Sequence, residues 1–153
     1  MLPKYEALLQ EAKETNSDMD SVKLCCELLS LSARLTDKCV KNLNEFGLLE
    51  GRFVAMLLIK NSTEITPHEL ADKIGLTRAS ITSVIDFLEN KNYVIRIPSA
   101  KDRRSLNLRL KPEGEKVLAA ALKTQISWLS SIMTSLTEVE KQQFSNILSK
   151  VQL

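Results

Sequence analysis

Three basic side chains lie within four residues of a polar turn, and their chemistry is that of an anion-binding site. They are Lys101, Arg103 and Arg104, with Asp102 between them. Arginine donates two parallel hydrogen bonds to phosphate oxygens, and lysine adds a compact positive charge. Two interpretations are open, a solvated turn and a contact with a polyanion. Three cations in so short a stretch favour the contact.

Side-chain chemistry for catalysis or metal binding is sparse elsewhere. The one histidine, His68, would have to act alone, because no nucleophile motif accompanies it. The three cysteines, Cys25, Cys26 and Cys39, lack metal-ligand spacing, and adjacent cysteines do not readily bridge on a helix. Buried free thiols in a reducing compartment are the favoured interpretation. The sequence therefore predicts no enzyme, no cofactor and no metal site.

Composition and charge indicate a folded domain with one basic segment. The chain has 153 residues, 44% hydrophobic and 26% charged, which is typical of globular proteins and unlike disordered or fibrous chains. No apolar run approaches the ~20 residues that cross a bilayer, and the N-terminus lacks a secretory signal pattern. We therefore expect a cytoplasmic protein without a membrane contact. Residues 60–111 hold ten Lys or Arg and six Asp or Glu, a net charge of +4, so this middle third suits a polyanion.

The elements that must position these residues follow from caps and periodicity. Apolar residues at helical spacing predict helices over 5–14, from the polar break at 16–18 to about 44, and over 52–60. Two more helices are predicted near the C-terminus, the first opened by Pro112 and the second by a capping box at Thr137. The long second helix has an apolar face wider than one partner requires. Its additional stripe is formed by Leu24, Leu28, Leu31 and Leu35.

Two short helices joined by three residues are predicted in the middle of the chain. Thr66 and Glu69 have the spacing of a capping box, and Gly75 suits the left-handed conformation that closes a helix. Two helices that cross closely need a small residue at the crossing, a glycine in the turn and an apolar residue pointing back into the angle. Ala71, Gly75 and Ile81 supply these features. Taken alone, a helix-turn-helix and an ordinary helical hairpin compete about evenly.

The segment that follows favours the helix-turn-helix. After residue 92 the apolar period changes from 3.6 to 2, which predicts strands over 94–98 and 105–110 on either side of the basic turn. A hairpin with a charged tip, directly after the second helix, is what a winged-helix DNA reader requires. In such a reader the second helix enters the major groove and the wing reaches phosphates or the adjoining minor groove.

In these segments the sequence resembles the MarR family of bacterial transcription regulators, from about Asn44 to Leu118. The resemblance is carried by residues 69–76 and 81–89, and above all by Asp102-Arg103-Arg104-Ser105 with the alternating leucines after it and the Lys-Pro-Glu-Gly of 111–114. The Asp-x-Arg element of the wing, read as Asp102 and Arg104, is its most specific part.

The resemblance implies a mostly α fold (α+β) with three parts that form one interlocked domain. These are N-terminal dimerisation helices at 1–48, a winged helix-turn-helix with a two-stranded β wing at 49–111, and C-terminal dimerisation helices at 112–153. It also implies a homodimer on a pseudo-palindromic operator, more often a repressor than an activator. The wide apolar faces of the terminal helices support a dimer independently, with an intramolecular bundle as the alternative.

Side-chain chemistry on the second helix of the motif and on the wing gives the expected contacts. A methyl group at residue 79 suits thymine, hydroxyl groups at 82 and 83 suit base edges or phosphates, and the arginine at 78 suits phosphate or guanine. Free amides at the helix N-terminus favour a phosphate. On the wing, one arginine is braced by the aspartate while the other touches phosphate. The predicted DNA-binding residues are Thr77, Arg78, Ala79, Ser80, Thr82, Ser83, Lys101, Asp102, Arg103 and Arg104.

Control of DNA binding is a further expectation from the resemblance. Many MarR-type proteins lose DNA affinity when a small aromatic acid or phenol enters a crevice between the dimer helices and the winged helix. Others sense oxidants through a thiol in the first long helix, near where Cys26 falls, although packing is favoured over sensing for all three cysteines. A winged helix that binds another protein is the remaining alternative, and the basic wing would then be incidental.

Overall fold

The computed structural model describes residues 1–15, 18–98 and 106–151, and within them the predicted order of elements is confirmed. Helices come first, then a helix-turn-helix, a hairpin and two further helices. The elements are α1 (Pro3–Ala12), α2 (Met19–Asn44), α3 (Glu50–Lys60), α4 (Pro67–Ile74), α5 (Arg78–Asn90), β1 (Val94–Pro98), β2 (Leu106–Leu110), α6 (Pro112–Ile132) and α7 (Glu138–Leu148).

Local capping signals determine where α4 begins and ends. The hydroxyl of Thr66 accepts from the Glu69 amide at 3.2 Å, and the Glu69 carboxylate accepts from the Thr66 amide at 2.8 Å. The pKa of Glu69 lies below its ordinary value because its carboxylate accepts hydrogen bonds from the backbone N–H and the hydroxyl of Thr66. At the other end Gly75 adopts φ +75° and donates to the Ala71 carbonyl at 2.9 Å. The chain therefore turns within three residues and starts α5.

The hydrophobic core lies around α3, whose sequence is largely apolar. Ala55, Met56 and Ile59 of this helix are almost completely buried. Ala71 and Ile81 are each 2% exposed, so the small residue and the inward-pointing residue of the helix-turn-helix occupy their expected places. The other core side chains are Leu43, Leu48, Ile65, Leu70, Ile85, Leu88, Val94, Leu108, Leu110, Leu118 and Ala121.

The root of the hairpin is fixed to its neighbours through the backbone. The two strands are antiparallel, and their ladder runs from Val94 opposite Leu110 to Pro98 opposite Leu106. The Lys111 amide donates to the Tyr93 carbonyl at 2.9 Å. Gly114 of α6 lies so close that an added Cβ would overlap this carbonyl oxygen. The hairpin therefore begins at a rigid junction between α5 and α6.

The terminal helices leave much of their apolar surface uncovered. Helix α2 is 26 residues long but buries only Cys26, Ser30, Asn42 and Leu43, while α1 and α7 bury no residue. Leu29 and Val40 of α2 are exposed. The other large exposed apolar residues of these helices and of α6 are Leu8, Leu24, Leu28, Leu31, Ile126, Leu129, Val139, Ile147 and Leu148.

Among the described residues, no helix combines the length and apolarity that a membrane span requires, and no cluster of three or more potential metal ligands occurs.

Candidate nucleic-acid interface

The apolar residues of α5 determine which of its faces points to solvent. Ile81, Ile85 and Leu88 are buried against α3 and α4, and Val84 is half-buried. The opposite face and the first turn are exposed, and they carry all the predicted contact residues of this segment: Thr77, Arg78, Ala79, Ser80, Thr82 and Ser83. The structure thus brings these six side chains together on one surface, and their contact with DNA stays a prediction.

The N-terminus of α5 combines a cap with free hydrogen-bond donors. The Thr77 hydroxyl accepts from the Ser80 amide at 3.2 Å and lies 2.9 Å from the Ser80 hydroxyl. This cap satisfies only one of the first amides of the helix. The N–H groups of Arg78 and Ala79 have no intrahelical acceptor because they begin the helix. These two amides and the exposed Arg78 guanidinium provide donors for a phosphate oxygen.

The two hydroxyl groups on the outer face differ in what they can recognise. Thr82 donates its proton to the Arg78 carbonyl at 2.8 Å, so its hydroxyl offers only lone pairs to a ligand. Such an acceptor suits the exocyclic amino group of adenine or cytosine in a major groove. The Ser83 hydroxyl is exposed and makes no hydrogen bond within the described part of the chain, so it is able to donate or accept.

One residue near this surface was not predicted from the sequence. His68, the second residue of α4, borders a shallow depression together with Arg78 and Thr82. Its Nε2 lies 3.7 Å from a carboxylate oxygen of Asp72. The available signal was positional, since in a helix-turn-helix the first turn of the first helix lies beside the first turn of the second.

An ion-pair cluster links the outer face of α5 to the hairpin. The Arg96 guanidinium in β1 donates to Asp86 at 2.7 Å and also forms an ion pair with Glu89. The backbone amide of Arg96 donates to Glu89 Oε1 at 3.2 Å. The two acidic residues lie three positions apart on α5, so one arginine spans a turn of the helix. This pairing was not predicted from the sequence.

The four predicted wing residues, Lys101, Asp102, Arg103 and Arg104, lie outside the described residues. The described strands on either side end at the pair formed by Pro98 and Leu106. The hairpin that carries these residues is thus confirmed, while the roles of the four side chains stay predictions.

The segment that forms this surface is similar to a known protein family. The MarR family profile matches residues 48–106, which run from the turn before α3 to the first residue of β2. The HTH-type transcriptional regulator PrsX of Escherichia coli is 30% identical over 130 residues, covering 81% of this chain and 78% of PrsX. The chain belongs to the MarR family.

Further similarities extend beyond the matched segment. The HTH-type transcriptional repressor YetL of Bacillus subtilis (strain 168) is 29% identical over 150 residues, covering 96% of this chain and 90% of YetL. The crystal structure of YusO from Bacillus subtilis superposes with a TM-score of 0.75 at 22% identity, covering 89% of this chain and 96% of YusO. The expected MarR-type fold is therefore confirmed, and this MarR-family chain is a transcriptional regulator rather than an enzyme.

The MarR-family chain also contains a cavity of about 320 Å³ bordered by α2, α3 and α6. Its walls are mainly apolar, with Leu35, Phe53 and Leu129 among them. Gln125 lies at its edge and donates to the Cys39 carbonyl at 3.0 Å, while its own oxygen accepts from Asn42 at 3.2 Å. The cavity thus lies where the terminal helices meet the first helix of the matched segment.

Proposed function

We propose that this MarR-family regulator acts in the cytoplasm as a repressor, binding a pseudo-palindromic operator in double-stranded DNA as a homodimer. The observation that carries the proposal is the outer face of α5. It presents a cation, free helix amides and two hydroxyl groups on a helix whose other face is anchored in the core. YetL, which matches nearly the whole chain, is named as a repressor.

Each side chain of this face has a role in the proposal. Arg78 and the first amides of α5 bind a phosphate or, for the guanidinium, a guanine. Ala79 meets a thymine methyl group, and Thr82 and Ser83 bond base edges. Thr77 and Ser80 cap the N-terminus of α5 and contribute hydroxyl groups to the same phosphate.

The wing supplies the second contact in the proposal. Lys101 and Arg103 bind backbone phosphates, and Arg104, braced by Asp102, reaches the minor groove. The alternative in which the two arginines exchange these roles predicts the same dependence on salt.

The proposed dimer is formed by the segments 1–48 and 112–153, with the winged helix-turn-helix of 49–111 as the DNA reader. Helices α1 and α7 bury no residue in the protomer, although Leu8, Val139 and Ile147 are apolar and more than half exposed. Exposed leucines of α2 extend this surface. A second copy of the chain is the proposed cover, since a symmetric dimer buries the same patch of both copies.

Footprinting on the DNA upstream of the regulator's own gene tests the proposal. We expect two protected half-sites about one helical turn apart.

Substituting Arg103→Ala and Arg104→Ala together should abolish binding at moderate salt, and should reduce the slope of log affinity against log salt by about 2. A double variant just beyond the C-terminal ends of α1 and α7, Lys13→Ala with Lys150→Ala, removes the same charge and should bind like wild type. Unchanged binding by the wing variant across salt would contradict the wing's role, and a solitary protomer in solution would contradict the dimer.

Release by a small aromatic acid or phenol is the proposed control. The apolar cavity between α2, α3 and α6 supports it, because its volume is in the lower range of small-molecule sites. Benzoate and phenol, titrated into the protein–DNA complex, should lower DNA affinity. A variant that fills the cavity, Val54→Phe, should lose this response while still binding DNA. If neither compound changes the affinity of wild type, this form of control is rejected.

Thiol-based redox sensing of the same fold is the alternative form of control. Cys26 is only 2% exposed, which supports a packing role because sensor thiols are accessible. Cys25 beside it is exposed, and Cys39 borders the cavity. Peroxide treatment of wild type and of Cys26→Ser separates the two roles. If Cys26 is a sensor, peroxide lowers the DNA affinity of wild type but not that of Cys26→Ser. If Cys26 only packs, peroxide leaves the DNA affinity of wild type unchanged.

A winged helix that binds another protein remains the second candidate function. A gel shift with the upstream DNA separates it from the DNA reader, because a protein-binding module would show no DNA complex that depends on sequence.

A further inference from the structure

One arginine connects the hairpin to the outer face of α5. Arg96 lies in the middle of β1, and its guanidinium donates to Asp86 at 2.7 Å and pairs with Glu89. The side chains of Arg96 and Glu89 are each 28% exposed, whereas Asp86 is 52% exposed. Two of the three groups are therefore largely withdrawn from solvent, where an ion pair is screened less than at the surface.

The backbone of β1 takes part in the same cluster. The Leu108 amide donates to the Ile65 carbonyl at 2.8 Å, so it points away from β1. Leu108 stands opposite Arg96, and in an antiparallel ladder both amides of such a pair point outward. The outward amide of Arg96 finds its acceptor in Glu89 at 3.2 Å. Glu89 thus holds both the side chain and the backbone of the strand.

We propose that Arg96, held by Asp86 and Glu89, is a positioning residue for DNA binding that fixes the angle between the hairpin and α5. The inference rests on the proposed function. Helix and wing contact one duplex at the same time only if their relative orientation is constant. Because the hydrogen bonds of the cluster join the middle of the strand to the outer side of the helix, rotation about the hairpin root would break them.

The geometry gives the size of the effect. From Val94 to Pro98 the strand spans about 14 Å at ~3.4 Å per residue. A rotation of about 10° at the root would move its far end by about 2 Å, which exceeds the tolerance of a hydrogen bond. Contacts made beyond this end would therefore be lost even if the helix remained seated in its groove.

The cluster has a second consequence that makes the proposal testable. Asp86 follows Thr82 by four positions and so lies on the same exposed face as the predicted base contacts. Considered only as charges, the carboxylates of Asp86 and Glu89 oppose a polyanion, and removing one should strengthen binding. A positioning role predicts the opposite sign for Glu89.

Measuring operator affinity for Glu89→Met, Arg96→Met and Arg109→Met distinguishes these two explanations. Glu89→Met removes a negative charge, and we expect its affinity to fall about tenfold because the strand loses both hydrogen bonds. Arg96→Met should fall to a similar extent. Arg109 is the matched control, since it is an exposed cation on β2 without an ion pair within the described residues. Arg109→Met should lower affinity by less than about threefold. Tighter binding by Glu89→Met would overturn the proposal.

A double-variant cycle with the wing tests the same idea without relying on overall stability. In wild type, Arg103→Ala with Arg104→Ala should strongly reduce affinity, whereas in the Arg96→Met background the same change should cost less, by about the tenfold loss that Arg96→Met has already caused. Full additivity would overturn the positioning role. Circular dichroism at the assay temperature checks folding, and if Arg96→Met is unfolded the cycle is run with Arg96→Lys, which keeps the charge but cannot bridge both carboxylates.

Different experimental outcomes distinguish a failure of this inference from a failure of the proposed function. If wild type binds no DNA, the proposed function fails and the positioning role fails with it. If wild type binds DNA and both Glu89→Met and Arg96→Met bind it as tightly as wild type, only the positioning role is overturned.

Discussion

The contact between Gly114 and the backbone of Tyr93 allows a stability prediction with a matched control. In the substitution Gly114→Ala, the new Cβ would overlap the Tyr93 carbonyl oxygen and lie 2.8 Å from its carbonyl carbon and 2.9 Å from its Cα. None of these atoms belongs to a flexible side chain. The Tyr93 amide donates to the Leu88 carbonyl at 2.8 Å, and the Tyr93 carbonyl accepts from Lys111 at 2.9 Å. To make room, the root of the hairpin would have to separate from α6.

The expected cost follows from these distances. Overpacking a buried site costs about 1–3 kcal/mol when side chains can adjust, and here only the backbone could move. We therefore expect a loss of about 3 kcal/mol in the free energy of unfolding. For a protein of this size, 1 kcal/mol corresponds to about 2–4 °C in Tm, so the predicted decrease is about 6–12 °C.

Gly51 provides the control because it is also near the N-terminus of a helix. An added Cβ there has no neighbour within 4 Å, so Gly51→Ala should stabilise by about 0.5 kcal/mol through helix propensity and a less flexible unfolded chain. Thermal and urea unfolding of both variants should be followed at one protein concentration, because the stability of an oligomer depends on it. A Tm for Gly114→Ala within about 2 °C of wild type would refute the reasoning.

Three further predictions concern buried and capping hydrogen bonds. Since the folded-state pKa of Glu69 is lowered, its stabilising effect is present above the unfolded pKa and lost as pH falls through the folded one. Urea midpoints of wild type and Glu69→Gln should therefore converge as the pH falls below the folded-state pKa of Glu69. Asn42→Leu should lower the free energy of unfolding by about 1–3 kcal/mol, because the side-chain oxygen of Gln125 loses its donor. In a double-mutant cycle, adding Gln125→Leu should recover part of that loss. Additive costs of the two substitutions would contradict the pairing. Thr77→Ala should lower unfolding free energy by about 1 kcal/mol through loss of the α5 cap, while Thr77→Ser, measured in the same urea titration, should not.

Local signals made the middle of the fold predictable from the sequence. The caps at Thr66 and Thr137 and the left-handed glycine at Gly75 depend on residues within one turn of the chain, so no tertiary information was needed. The inward position of Ile81 followed in the same way from its place after the turn. The terminal helices were different, because a pattern shows which face is apolar but not what covers it. Leu29 and Val40, for example, lie at helical spacing on α2, and in the protomer they are exposed.

The cluster around Arg96 shows what kind of reasoning could have found a tertiary contact. Alternation along β1 puts Arg96 on the same side as Val94, which is buried, and opposite to Ile95, which is exposed. A charge on the inward side of a strand needs a partner, because burying it unpaired is costly. The hairpin follows α5 after three residues, so its strand must return along the second half of that helix, where Asp86 and Glu89 are the acidic residues. The sequence thus contained both the cation that needed a partner and the two carboxylates within reach, and only the direction of the returning strand had to be supplied by the fold.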